Sequence, residues 1–153
     1  MTIPKKTNFK NKKTKRYVVK NASKYMGDPT IIFCRSGWEA WVCRWCDTSP
    51  QVVGWGSETV VIPYLDASTN KMRHYFIDFL IKLKNGKTIL VELKPLNQTK
   101  PPTGNRKSGI MLEQTMTYVK NLSKWSAAIQ FAEKNGFEFQ IWVKDTLIKL
   151  GII

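Results

Sequence analysis

The sequence predicts a single mixed α/β domain behind a basic N-terminal arm. Three observations carry this. The 153 residues suit one domain. An apolar content of 42%, with 6 Trp and 7 Phe, supplies a sizeable core at that length. The apolar spacing switches between helical and extended periods along the chain, in the order helix, three strands, helix, strand, helix.

The arm comes first. The formal net charge is +14 and is unevenly spread. Between Lys5 and Lys20 stand eight basic residues and no acid: Lys5, Lys6, Lys10, Lys12, Lys13, Lys15, Arg16 and Lys20. Few apolar residues accompany them, so residues 1–23 are expected to form a flexible arm and residues 24–153 the domain. A cationic excess of this size points to a polyanion, with nucleic acid first. Lys12, Lys13, Lys15 and Arg16 are the expected DNA-binding residues, adding salt-sensitive and sequence-blind affinity through phosphates. No membrane partner is expected. No amphipathic basic helix is present, and no apolar run approaches the roughly 18 residues of a membrane span. The basic, polar N-terminus also argues against a secretory signal. The odd number of cysteines, Cys34, Cys43 and Cys46, fits free thiols in a reducing compartment. One Cys-x-x-Cys inside a helix lacks the second ligand pair of a zinc site, so buried thiols are the expectation.

The first helix spans Cys34 to Asp47. Trp38, Trp41, Val42 and Trp45 fall on one face at helical spacing, and Ser36 with Glu39 forms a capping-box pattern. Val52–Pro63 reads as extended, with Gly54 and Gly56 allowing a bend or bulge. Asp66–Lys71 is a polar loop. Two strands follow, Arg73–Leu83 and Lys87–Lys94, joined at Lys84-Asn85-Gly86. Leu96–Lys107 is a Pro- and Lys-rich loop. Residues Ser108–Asn135 are helical with a break near Asn121, and Gly136 stops the helix. Phe137–Val143 alternates as a strand, and Asp145 caps a short last helix.

The hairpin carries the chemistry, and its register decides what meets what. A two-residue Asn85-Gly86 turn would place Asp78 opposite Leu93 and split the apolar rows between two faces. A three-residue loop pairs Leu83 with Lys87, with Gly86 left-handed. Ile81 then opposes Ile89, Phe79 opposes Val91 and Ile77 opposes Leu93, which makes one apolar face. Burial selects that register, and it sets Asp78 opposite Glu92. Two carboxylates that close repel unless a cation or proton lies between them. Mg²⁺ is the expected cofactor, Mn²⁺ an alternative, because such ions take one or two carboxylates plus water and phosphate oxygen. Lys94 points the same way and is expected to orient or deprotonate an attacking water, or to stabilise charge on the phosphorane.

Asp78 and Glu92-x-Lys94 resemble the PD-(D/E)xK nuclease superfamily, with Ile77 where many members have proline. The resemblance implies a restriction-endonuclease-like αβββαβ domain, a central mixed sheet flanked by helices, and a Mg²⁺-dependent deoxyribonuclease. It also implies that Glu39, on the first helix, joins Asp78 and Glu92 at the metal, and that Gln114 and Tyr118 act at the site through a Gln-x-x-x-Tyr pattern. Over Tyr25–Pro102 the chain is similar to the head completion nucleases of T-even-like tailed phages, through Tyr25-Met-Gly-Asp-Pro29, Arg35-Ser-Gly-Trp-Glu39, His74-Tyr-Phe-Ile-Asp78, Glu92-Leu-Lys-Pro95 and Gln98-Thr-Lys-Pro-Pro102. That implies action on packaged DNA before head–tail joining, phage head or neck proteins as partners, and a place in the host cytoplasm during assembly or in the virion. A non-catalytic DNA-binding protein on the same fold, or a transposon- or repair-type endonuclease, is the competing expectation.

Overall fold

A computed structural model describes residues 14–104 and 107–153. In chain order the strands are β1 (Lys15–Arg16), β2 (Phe33–Cys34), β3 (Val52–Ser57), β4 (Val61–Asp66), β5 (Lys71–Phe76), β6 (Phe79–Leu83), β7 (Thr88–Leu93) and β8 (Glu138–Trp142). The helices are α1 (Gly37–Thr48), α2 (Ser108–Asn135) and α3 (Lys144–Lys149). The central sheet has the order β3-β6-β7-β8. β6 is antiparallel to both β3 and β7, while β7 and β8 run parallel. It is the expected mixed sheet flanked by helices.

Two stretches read as single strands are each divided. Val52–Pro63 is broken after Ser57, where Glu58 takes φ 54°. Arg73–Leu83 is broken at Ile77–Asp78. The middle parts, β4 and β5, leave the central sheet and pair with each other as a separate hairpin. Alternation alone does not reveal this. Packing does: Ile62, Tyr64 and Tyr75 of the hairpin bury against α2 through Ala128 and Ala132, together with Ile77 and Leu90. Ile77 therefore does not oppose Leu93. Its N–H bonds to Val60 O at 3.1 Å instead.

The other face of the sheet packs against α1. Phe79, Ile81, Ile89 and Val91 meet Val42, Cys43, Cys46, Val52, Trp55 and Trp142. The apolar face of α1 is rotated from the expected one. Val42, Cys43 and Cys46 are fully buried, Trp38 and Trp45 flank them, and Trp41 is 48% exposed. The small thiols let the helix approach the sheet closely, and the large rings fill its borders. All three cysteines are buried and none is in a disulfide; Cys34 Sγ and Cys43 Sγ meet at 3.5 Å.

Residues 15–24 are not a flexible arm. β1 pairs with β2, with Lys15 opposite Cys34 and Arg16 opposite Phe33. Asp47, fully buried, anchors the segment. It accepts from Tyr17 Oη at 2.8 Å, Lys20 N at 2.8 Å and Asn21 N at 3.0 Å. Burial alone would raise the Asp47 carboxyl, but these donors hold it below the usual value. The strap then covers the free edge of β3, where Met26 N bonds Trp55 O at 2.7 Å and the Tyr25 ring meets Trp55 edge-on at 4.7 Å. Lys12 and Lys13 lie outside the described residues.

α2 is continuous over Ser108–Asn135, with no break at Asn121, whose side chain is buried rather than ending the helix. Gly136 adopts φ 69° and stops it, as expected of a left-handed cap. α3 is preceded by Val143, not capped by Asp145. Asp145 sits in its first turn, and Thr146 Oγ1 accepts from Val143 N at 3.4 Å. No helix among the described residues is long and apolar enough to cross a membrane.

Candidate active site

The β6–β7 hairpin has the register that burial dictates. Ile81 opposes Ile89, Phe79 opposes Val91, and Leu83 N bonds Lys87 O at 2.8 Å. Gly86, at φ 91°, closes the three-residue loop in a conformation that favours glycine. Regular pairing stops at Phe79–Val91, so Asp78 is not paired with Glu92 in the ladder, contrary to expectation. The Asp78 carboxylate instead takes the place of a backbone acceptor: Asp78 Oδ2 accepts from Leu93 N at 2.8 Å. The strand can thus turn away without orphaning an amide of β7.

Glu92 lies on the α2 side of β7, 6% exposed. Tyr75 Oη donates to its Oε2 at 2.5 Å, and Lys94 Nζ stands 3.7 Å from its Oε1. Lys94 is tied through its own backbone, N–H to Trp142 O at 3.1 Å. The Asp78 carboxyl is pushed well above the usual range, first by removal from water and then by the charge of Glu92; the Leu93 amide opposes this, Glu39 adds to it and Lys94 relieves it. Asp78, Glu92 and Lys94 thus share one electrostatic site, with Glu39 close enough to act on it.

Glu39 also sits in the first turn of α1, whose N-cap is Ser36. Its N–H donates to Ser36 Oγ at 3.2 Å, and its Oε2 accepts from Arg35 N at 2.8 Å. Arg35 in turn faces Glu58, Nη1 to Oε1 3.8 Å, and Glu58 N bonds Asp78 O at 3.1 Å. The left-handed bend at Glu58 therefore fixes the backbone of Asp78. Gln114 and Tyr118 are on α2, where they line a groove of about 470 Å³ with Asn97, Lys100, Pro102 and Asn121. The groove is walled on one side by the chain that follows Lys94. His74 is exposed on the β4–β5 hairpin, opposite Pro63. Lys15 and Arg16 are exposed on β1.

Sequence reasoning missed two residues. Uninterrupted alternation through Asp78 would put Tyr75 on the face opposite Glu92; the break at Ile77–Asp78 brings it round to the carboxylate. The second is Lys124 of α2. Its ammonium lies 5.3 Å from the centroid of the Tyr75 ring. The helical stripe of Gln114, Tyr118 and Asn121, extended by one turn, would have reached it.

Among the described residues, no three His, Cys, Asp or Glu side chains are grouped so as to hold a metal ion. The donor set still fits a hard divalent cation of the Mg²⁺ type. It consists of oxygen only, its two carboxylates are mutually repelling, and such ions ask for one or two carboxylates with the remaining positions filled by water or phosphate.

The sequence profile described as TnsA-like endonuclease N terminal matches residues 49–144, from the end of α1 to the start of α3. The head completion nuclease of Enterobacteria phage T4 is 40% identical over 143 residues, covering 89% of this chain and 94% of that protein. The chain belongs to this family. No solved structure matches. This head completion family member carries the β4–β5 hairpin between β3 and β6, the first two strands of its central sheet. The profile match begins after Glu39, whereas the T4 relative covers most of the chain, so its likeness reaches beyond the endonuclease core.

Proposed function

We propose that this protein is a metal-dependent DNA nuclease of phage head completion, hydrolysing phosphodiester bonds in packaged DNA before head–tail joining. The observation that carries this reading is the Asp78 carboxyl raised by the charge of Glu92, with Lys94 3.7 Å from Glu92, in a chain 40% identical to a protein named head completion nuclease. Asp78 and Glu92 would hold the cation, Mg²⁺ or Mn²⁺, with Glu39 as a further acidic contributor. The bound cation would supply positive charge to polarise the phosphate and to acidify a water. Lys94, held beside Glu92, orients the attacking water or takes its proton and stabilises charge on the phosphorane. Gln114 and Tyr118 position the DNA strand along the α2 groove. Lys12, Lys13, Lys15 and Arg16 bind phosphates outside the site. The partners are DNA and the phage head or neck proteins, met in the host cytoplasm during assembly or in the virion.

Supercoiled plasmid incubated with Mg²⁺ or Mn²⁺ tests the reading. The parent nicks it, the metal-free sample is inert, and Asp78→Ala falls by at least about 100-fold, in the range seen when one group that stabilises developing charge is removed. A folded Asp78→Ala protein that cuts as fast as the parent would falsify the assignment. The TnsA-like profile match favours a second context, a transposon-type endonuclease. Absence of the protein from assembling phage particles would select that context over head completion.

A further inference from the structure

Lys124 projects from α2 towards the carboxylate pair. Its ammonium rests 5.3 Å from the centroid of the Tyr75 ring, the ring whose hydroxyl holds Glu92. It forms no ion pair with another described residue. An ammonium partly withdrawn from water without a bonded counter-ion is costly, and a ring face offsets only part of that cost. Burial pulls its proton affinity down, Glu92 and Asp78 raise it, and Lys94 and Lys120 lower it. The cation thus feels both carboxylates and two other ammoniums, and it comes from α2 rather than from the chain that bears Lys94. A group held in this way lacks one element, an anion.

We propose that Lys124 is a second lysine of the active site, contacting the phosphate of the cleaved strand from the α2 side while Lys94 acts from just beyond the end of β7. This rests on the nuclease reading and deepens it: two cations from different elements grip one phosphodiester. Tyr75 links them. Its hydroxyl fixes Glu92, and its ring seats Lys124, so the α2 cation and the β7 carboxylate keep one spacing. A merely structural Lys124 would need only its aliphatic stem against the ring.

Lys124→Met retains that stem and removes the charge, and Lys124→Arg retains the charge. Two measurements separate the roles. The first is cleavage of supercoiled plasmid with Mg²⁺. The second is binding of a short DNA duplex in Ca²⁺, titrated with KCl. We expect Lys124→Met to cut roughly 10- to 100-fold more slowly, as loss of a hydrogen bond to a charged group predicts. Its plot of log affinity against log salt should be shallower by about one, the signature of one lost phosphate contact. The Arg variant should restore the slope, and the Met variant should melt no lower than the parent. Parental slope and parental rate in Lys124→Met overturn the proposal. So does a shallower slope with parental cleavage, because the contact would then lie away from the cleaved phosphate. A parent that binds but never cuts would sink the nuclease reading, while the salt slope would still show whether Lys124 meets phosphate.

Discussion

Tyr75 and Glu92 lie 17 residues apart on strands of different sheets, yet the Tyr75 hydroxyl donates to Glu92 Oε2 at 2.5 Å inside the protein. The bond occupies one oxygen of Glu92 and leaves the other towards Lys94. Tyr75→Phe keeps the ring and removes the donor. It is expected to cost about 1–3 kcal/mol of stability, read by urea unfolding, since a buried carboxylate oxygen loses its partner. Cleavage should slow by roughly tenfold or more, as Glu92 loses its fixed orientation. Unchanged values for both would mean that the bond does not position Glu92.

Asp78 gives a prediction with opposite signs for stability and activity. Its carboxyl is raised in the folded protein, so the folded state binds the proton more tightly than the unfolded chain. The metal-free protein therefore loses stability as pH climbs from the ordinary carboxyl range through the raised folded value, and the loss is complete above it. Asp78→Asn removes that term while its amide oxygen can still accept from Leu93 N. At neutral pH without metal it should melt higher than the parent, yet fail to cut DNA. A lower melting temperature at neutral pH would refute the electrostatic strain.

The strap over residues 15–24 hangs on one side chain. Asp47→Ala strips Tyr17 Oη and the amides of Lys20 and Asn21 of their acceptor. A loss of about 3–5 kcal/mol is expected, in line with breaking a buried charged network. Amide exchange should accelerate at residues 17–26 before it does in β6 and β7. Uniform exchange across the molecule would show instead that strap and sheet unfold together.

Asp66 sets the acid limit of the β4–β5 hairpin. Bonds from Ser68 lower its carboxyl first, and the Ser68 amide, Arg73 and Thr69 add to this, holding it at about 2. Its folded value is depressed, so its contribution is complete above the ordinary carboxyl range and fades as pH falls from there towards about 2. Parent protein should lose stability over that window, and Asp66→Asn, weaker from the outset, should lose less. Parallel acid titrations of melting temperature would contradict this.

Much of this was legible in the sequence. The hairpin register followed from one requirement, that Phe79, Ile81, Ile89 and Val91 share a buried face, and Gly86 supplied the loop to match. Gly136 marked the end of α2 for the same kind of local reason. The break at Ile77–Asp78 was not legible, because residues 73–83 alternate without interruption and the turn depends on a side chain, Asp78, replacing a ladder acceptor. The inserted hairpin was hidden with it. The strap was obscured by its lysines, although Tyr17, Val19 and Tyr25 were the apolar signal among them. Asp47 read as the end of a helix, since nothing local shows that three donors will converge on it from 26 or more residues upstream. Lys124 was one more charge on a long helix until Tyr75 gave it a seat.

The break before β6 has a wider consequence. Ile77 belongs to the layer packed under α2, and Phe79 to the layer packed under α1. Asp78 is the hinge pin between them. A cavity opened in either layer, at Ile62 or at Val42, would be transmitted to the carboxylate as a change of angle. Selection for a stable interior and selection for a working nuclease therefore act on the same dipeptide. Loop lengthening at 84–86 should be tolerated far better than a single residue added between 77 and 79.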